Sequence, residues 1–133
     1  MNKDKDNNYE LYILDYILSV ENYDSAWLWR DIPKKILLEE KIITDSIDYS
    51  CVRENIGINI LAEKDEQYVY INCINHASTI NVSDLAEYSF FRCLYRNKKC
   101  RVYYNGHLSN VIKYMCQDTS EFINVPFNNQ NFF

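Results

Sequence analysis

Glycine and proline are nearly absent: the chain has 133 residues and only two of each. No Gly/Ser-rich linker divides it and no internal repeat is visible, so it reads as one domain, long enough for a real hydrophobic core. It lacks any run of about 18 apolar residues, the length a transmembrane helix needs. Its polar, mixed-charge start, MNKDKDNNYE, is followed by no apolar signal-peptide core. An intracellular, cytoplasmic location without membrane contact is therefore expected. Histidine is scarce as well, with only His76 and His107, and the five cysteines (Cys51, Cys73, Cys93, Cys100, Cys116) form no Cys-x-x-Cys pair. Zinc sites need close ligand pairs, so neither a metal nor a cofactor is expected, and the cysteines read as reduced, packed small hydrophobes.

Positive charge is also in deficit, with a net charge of −5. Nucleic-acid-binding surfaces normally carry a basic footprint, and the bulk charge here points the other way. One local exception is RNKKCR, which gathers Arg96, Lys98, Lys99 and Arg101. It reads as a phosphate-facing patch or as a solvated helix end, and the second is favoured because cations suit a helix C-terminus.

What the chain does have is a globular balance, 47% hydrophobic and 25% charged, and many Asn, Ile and Tyr residues, a bias typical of AT-rich genomes. Residues 1–8 are expected to be disordered. Residues 9–21, YELYILDYILSVE, predict a helix with Leu11, Leu14, Ile17 and Leu18 on one apolar face. Asn22 to Ser25 reads as a turn, Pro33 as a break, and PKKILLEEKII as a second helix. Residues 44–55 are polar and read as a loop. GINILAE and YVYINCIN, joined by Lys64 to Gln67, predict a β-hairpin that can bring Asn59 near Asn72 and Ile74 on one sheet face.

A third helix is expected over Ser83–Asn97, with Ser83 as its N-cap and Leu85, Tyr88, Phe91, Leu94 and Tyr95 on its buried side. CRVYYN then reads as a strand running into a turn at Gly106, SNVIKYMCQ as a short helix and EFINVPF as a last strand. Residues 128–133 read as a C-terminal tail, whose Phe132 and Phe133 can tuck back onto the domain. The expected order is α-α-β-β-α-β-α-β, one mixed α/β domain.

AWLWRDIP, G-I-N-I, a charged turn, Y-I-N-C-I-N and then S-D-L resemble the restriction-endonuclease-like PD-(D/E)XK superfamily. The resemblance is closest to the helicase-associated branch of bacteria and giant DNA viruses. It covers residues 9–127 and extends to Tyr103, Tyr104 and Pro126 in the later strands. It implies a mixed central β-sheet flanked by helices, with metal-binding carboxylates on two neighbouring strands. Gly57, Ile58 and Cys73 match the pattern. Asn59 stands where the family has its metal-binding aspartate, Asn72 where it has Gln or Glu, and Ile74 where it has the catalytic lysine. Family nucleases use Mg²⁺ and lysine to activate water and stabilise the pentavalent phosphate, which Asn59 supports poorly and Ile74 not at all. Removing one such member costs orders of magnitude in rate.

Rescue from nearby carboxylates is not expected. Glu63 lies about 13 Å along the strand from Asn59, and Glu10, Asp15 and Glu21 of the first helix could reach the cleft but read as solvated. Trp27 and Trp29 read as packing rather than base stacking, and His76 as a hydrogen-bonded structural residue. The twelve tyrosines read as a recognition surface or as core edges whose hydroxyls reach water. The expectation is a catalytically inactive nuclease-like domain, free-standing or part of a helicase-like protein. A protein partner or a homodimer is favoured. Residual nucleic-acid binding through Arg96, Lys98, Lys99 and Arg101 is the alternative, and an active metal-dependent nuclease comes last.

Overall fold

The computed structural model of the chain describes residues 2–43, 56–115 and 121–127. The expected loop at 44–55 and tail at 128–133, with Cys51 and Cys116, lie outside them. The fold is α/β: an open, mixed five-stranded sheet in the order β1-β2-β3-β4-β5, flanked by helices. Strand β2 (Ile60–Lys64) runs antiparallel to its neighbours β1 (Ser25–Leu28) and β3 (Gln67–Ile80), whereas β4 (Lys99–Leu108) and β5 (Phe122–Asn124) each run parallel to the strand before them.

Helix α1 (Asn2–Ser19) starts earlier and ends sooner than expected. Its buried face is Tyr9, Ile13 and Ile17, at steps of four. Leu11 and Leu18, expected on that face, are 43% and 38% exposed. The face is turned because Tyr9 is itself a core residue whose phenol donates to the Val125 carbonyl at 2.9 Å. After Asn22, which turns the chain at φ 59°, the four-residue strand β1 pairs with β2, an edge the sequence did not disclose. Helix α2 (Lys34–Glu39) follows Pro33 directly, as expected.

The hairpin closes through Asp65 and Glu66, both at positive φ between the paired Lys64 and Gln67, the geometry of a two-residue turn matched to strand twist. Alternation along β2 sends Ile60 and Ala62 toward α1 and Leu61 toward the opposite face, where Trp29, Leu37, Tyr88 and Phe91 pack. Each fully buried Ile or Leu contributes on the order of 1.5–3 kcal/mol, and both sheet faces carry several. Trp29 is buried and Trp27 packs against the same cluster, so both tryptophans serve packing.

Strand β3 is longer than expected because a bulge lies inside it. Asn75 pairs with Asn105 and Thr79 with His107, so two extra residues of β3 are accommodated between those pairs. Gly106 lies opposite that bulge within β4, not in a turn. At φ 133°, a Cβ there would fall 2.6 Å from the His76 carbonyl oxygen.

The third helix begins with a 3₁₀ turn, Val82–Leu85, capped by Asn81 in a capping box with Asp84, so Ser83 is not the cap. Helix α3 (Ala86–Leu94) buries Tyr88 and Phe91, but Leu94 is 60% exposed. Helix α4 (Asn110–Met115) connects β4 toward β5. Among the described residues no helix is long and apolar enough to cross a membrane.

Candidate functional site

The hairpin register sets Ile60 against Ile71, so Asn59 faces Asn72 one step beyond the ladder's end. The Asn59 backbone continues the sheet on both sides: its N–H donates to the Ile71 carbonyl at 2.8 Å and its carbonyl accepts the Trp29 N–H at 2.7 Å. Its side chain is engaged as fully. Asn59 Oδ1 accepts the Cys73 backbone N–H at 2.7 Å and Asn72 Nδ2 at 3.3 Å, and Asn59 Nδ2 donates to Glu10 Oε1 at 2.8 Å. Asn72 Nδ2 also donates to the Gly57 carbonyl at 2.8 Å, and Asn72 Oδ1 is buried with no hydrogen-bond partner among the described residues. An acceptor left in that state costs about 1–3 kcal/mol.

These residues border one cleft of about 470 Å³. Ile74 and Asn75 continue its wall along β3, and Asp84, Glu87 and Tyr88 close it from the start of α3. Asn59, Asn72 and Ile74 therefore do converge, as the hairpin reading required. Gly57 makes the closure possible, because a Cβ at this φ 88° position would lie 2.4 Å from the Glu87 carbonyl carbon. Both glycines of the chain thus stand where backbone approaches backbone beside the cleft.

Glu10 corrects an expectation. It lines the cleft and holds Asn59, whereas it had read as a solvated helix carboxylate. Asp15 is exposed, as expected. Glu21 is not merely solvated either: it accepts the Tyr103 phenol on the other side of the domain. The Cys73 thiol, buried beside the cleft, is pushed well above its ordinary pKa first by burial and then by Glu10.

The donor set fits a hard divalent cation poorly. Asn59 Oδ1 is already taken by two N–H donors, and Ile74 offers no polar atom. Among the described residues no three His, Cys, Asp or Glu side chains are grouped so as to hold a metal ion.

His76 is hydrogen-bonded close by in the chain. Its Nδ1 accepts the Ser78 backbone N–H at 3.3 Å and lies 3.2 Å from Ser78 Oγ, while Nε2 is 3.8 Å from Asp84 Oδ2. That last separation is too long for the hydrogen bond that orients a catalytic histidine. Asp84 Oδ2 instead accepts the Asn81 N–H at 2.8 Å, so the carboxylate works as a cap.

The cations of RNKKCR do not gather at this cleft. Lys98 Nζ is bound to the Glu40 carbonyl at 2.7 Å and to its carboxylate at 3.2 Å. Arg101 donates to the Tyr23 hydroxyl at 3.2 Å, and with Lys99 it lines a separate cavity of about 170 Å³. Lys99 pairs with Val69 and Tyr104 with Ile74, so the cations enter β4 five residues, about 16 Å, away from Ile74. Arg96 is exposed beyond the end of α3. The β3–β4 register thus sets Lys99 and Arg101 at the other end of the sheet from Ile74.

The buried tyrosines also differ from expectation. Their hydroxyls reach carboxylates rather than water: Tyr70 donates to Glu40 at 2.7 Å, Tyr88 to Glu121 at 2.6 Å, and Tyr103 to Glu21. Of the described cysteines, Cys100 is buried and Cys73 partly so, but Cys93 is exposed on α3. Compared with protein-family models, curated proteins and solved structures, the chain matches none.

Proposed function

We propose that this chain is a catalytically inactive nuclease-like domain that acts as a protein-interaction module. The observation that carries this reading is the engagement of Asn59. The residue that would hold the metal in the PD-(D/E)XK pattern spends both side-chain atoms on the Cys73 N–H, Asn72 and Glu10. Ile74, in the lysine position, adds an apolar wall to the same cleft. The mixed sheet with flanking helices agrees with the architecture that the resemblance implies.

Charge argues against nucleic acid as the partner. Glu10, Asp84 and Glu87 line the cleft, and carboxylates without a bridging cation repel phosphates. The cations that would offset them lie at the other end of β4 or are paired with Glu40.

Incubation with duplex and single-stranded DNA and RNA, with Mg²⁺ or Mn²⁺, tests the first half of the proposal. The expected result is no cleavage, together with no gel shift at low salt. Metal-dependent cleavage by the purified chain would overturn the reading, and its survival in Asn59→Ala and Asn72→Ala variants would place the activity outside this cleft.

A further inference from the structure

The polar cleft does not end at helix α3. Ala86 and Glu87, in its wall, also line an apolar groove of about 420 Å³ that continues along the helix past Phe90 and Leu94. On the hairpin side, Ile56 of the groove is followed directly by Gly57 of the cleft. Cleft and groove are therefore one surface, joined where Gly57 meets the Glu87 backbone. Phe90 and Leu94 are 65% and 60% exposed. A contiguous apolar patch on a small domain marks an interaction surface, and both volumes fall in the range of ligand sites.

The two halves differ in charge. Glu10, Asp84 and Glu87 line the cleft, and among the described residues no Lys or Arg lines either half. Nearby cations are committed elsewhere, Arg92 to Glu121 at 2.8 Å and Lys98 to Glu40 at 3.2 Å. Glu87 is exposed, with no ion pair among the described residues. Carboxylates gathered in a concave, low-dielectric site focus a negative potential that draws a cation.

Spacing along the surface sets the form of what fits it. From Ala86, Phe90 and Leu94 lie about 6 and 12 Å along the helix axis. In an extended chain, alternate side chains share a face about 6.6 Å apart. A cation in the cleft is then followed, two and four residues on, by side chains that lie against Phe90 and Leu94. A segment this short is not helical by itself, so the extended form costs least to order.

We infer that this surface takes an extended segment of a partner protein, whose Lys or Arg enters the cleft beside Glu87 while two bulky apolar side chains lie in the groove along α3. The inference names the partner chemistry of the interaction reading above and rests on that reading, but not on the loss of catalysis. Failure to bind such a segment would overturn it and leave the cleavage and gel-shift results untouched.

Fluorescence anisotropy of labelled, Ser-based peptides tests it, each with Lys or Arg followed at two and four positions by Leu, Ile, Phe or Met. The best should bind with Kd on the order of 10–100 µM, as suits a small contact, and more weakly at high salt. Replacing the cation by Glu, or the apolar residues by Ser, should weaken binding roughly ten-fold or more. Glu87→Lys and Phe90→Ser, at exposed positions, should keep native circular dichroism and each weaken binding by a similar factor. Glu87→Lys should also erase the preference for the cationic peptide over its Glu version. No binding by any peptide at about 1 mM would overturn the inference. So would binding that neither variant changes, or spermine binding as tightly as the peptides, which would mark a site for free amines.

Discussion

The Asn59 amide donates to the Glu10 carboxylate at 2.8 Å, tying the start of the hairpin to helix α1. An aspartate at position 59 would turn this bond into two carboxylates at hydrogen-bond distance. Such a pair raises the pKa of its members, because both cannot ionise cheaply at that separation. The folded Asn59→Asp variant would then hold a proton that its unfolded chain releases. A raised folded pKa gives stability that is full at low pH and falls as pH rises. Urea denaturation should show the variant losing about 1–3 kcal/mol more, relative to the native chain, at about pH 8 than at about pH 5. Equal losses at both would mean that Glu10 does not hold position 59.

Alkaline titration probes the buried phenols. Tyr9, Tyr70, Tyr88 and Tyr103 are all held well above the ordinary tyrosine range, first by burial. At the last three the hydrogen bond to a carboxylate adds to burial. Their neutral forms stabilise the fold fully below about pH 10, the unfolded value, and that contribution is lost as pH rises beyond it. A fraction of the phenolate absorbance should therefore appear only together with the loss of near-ultraviolet circular dichroism. Ionisation of every tyrosine in a chain that stays folded would contradict the packing described for these rings.

The glycines give a sharper test of the cleft's construction. A Cβ at Gly57 meets the Glu87 carbonyl carbon at 2.4 Å and the Tyr88 nitrogen at 2.5 Å, both backbone atoms that cannot swing aside. Gly57→Ala should cost about 2 kcal/mol or more, and Gly106→Ala, against the His76 carbonyl, a comparable amount. Thermal melts that match the native chain would show that α3 does not close on the hairpin as described.

Much of this construction was legible because it is local. Alternation gave the hairpin, its face and the meeting of Asn59 with Asn72, since strand parity fixes which residues share a face. The α1 face was misread because Leu11 and Leu18 look more apolar than Tyr9, yet Tyr9 has a carbonyl partner in Val125 and can be buried whole. Strand β1 was missed because four residues, Ser25–Leu28, are too few to display a period and gain their place only by pairing with β2. Glu10 and Glu121 acquire their roles from residues 49 and 33 positions away, Asn59 and Tyr88. No window along the chain contains that information. The separation of Lys99 and Arg101 from Ile74 is likewise set by the parallel register with β3, a long-range property.

The central proposal is that the cleft lacks catalytic capacity because Asn59 and Ile74 stand where the PD-(D/E)XK pattern has its metal ligand and lysine. Calorimetric titration of Mg²⁺ and Mn²⁺ into the native chain and into an Asn59→Asp/Ile74→Lys variant tests it most directly. The account predicts no heat of binding for the native chain and measurable binding for the variant, where Asp at position 59 would stand beside Glu10. Binding by the native chain, or a variant no different from it, would contradict the account.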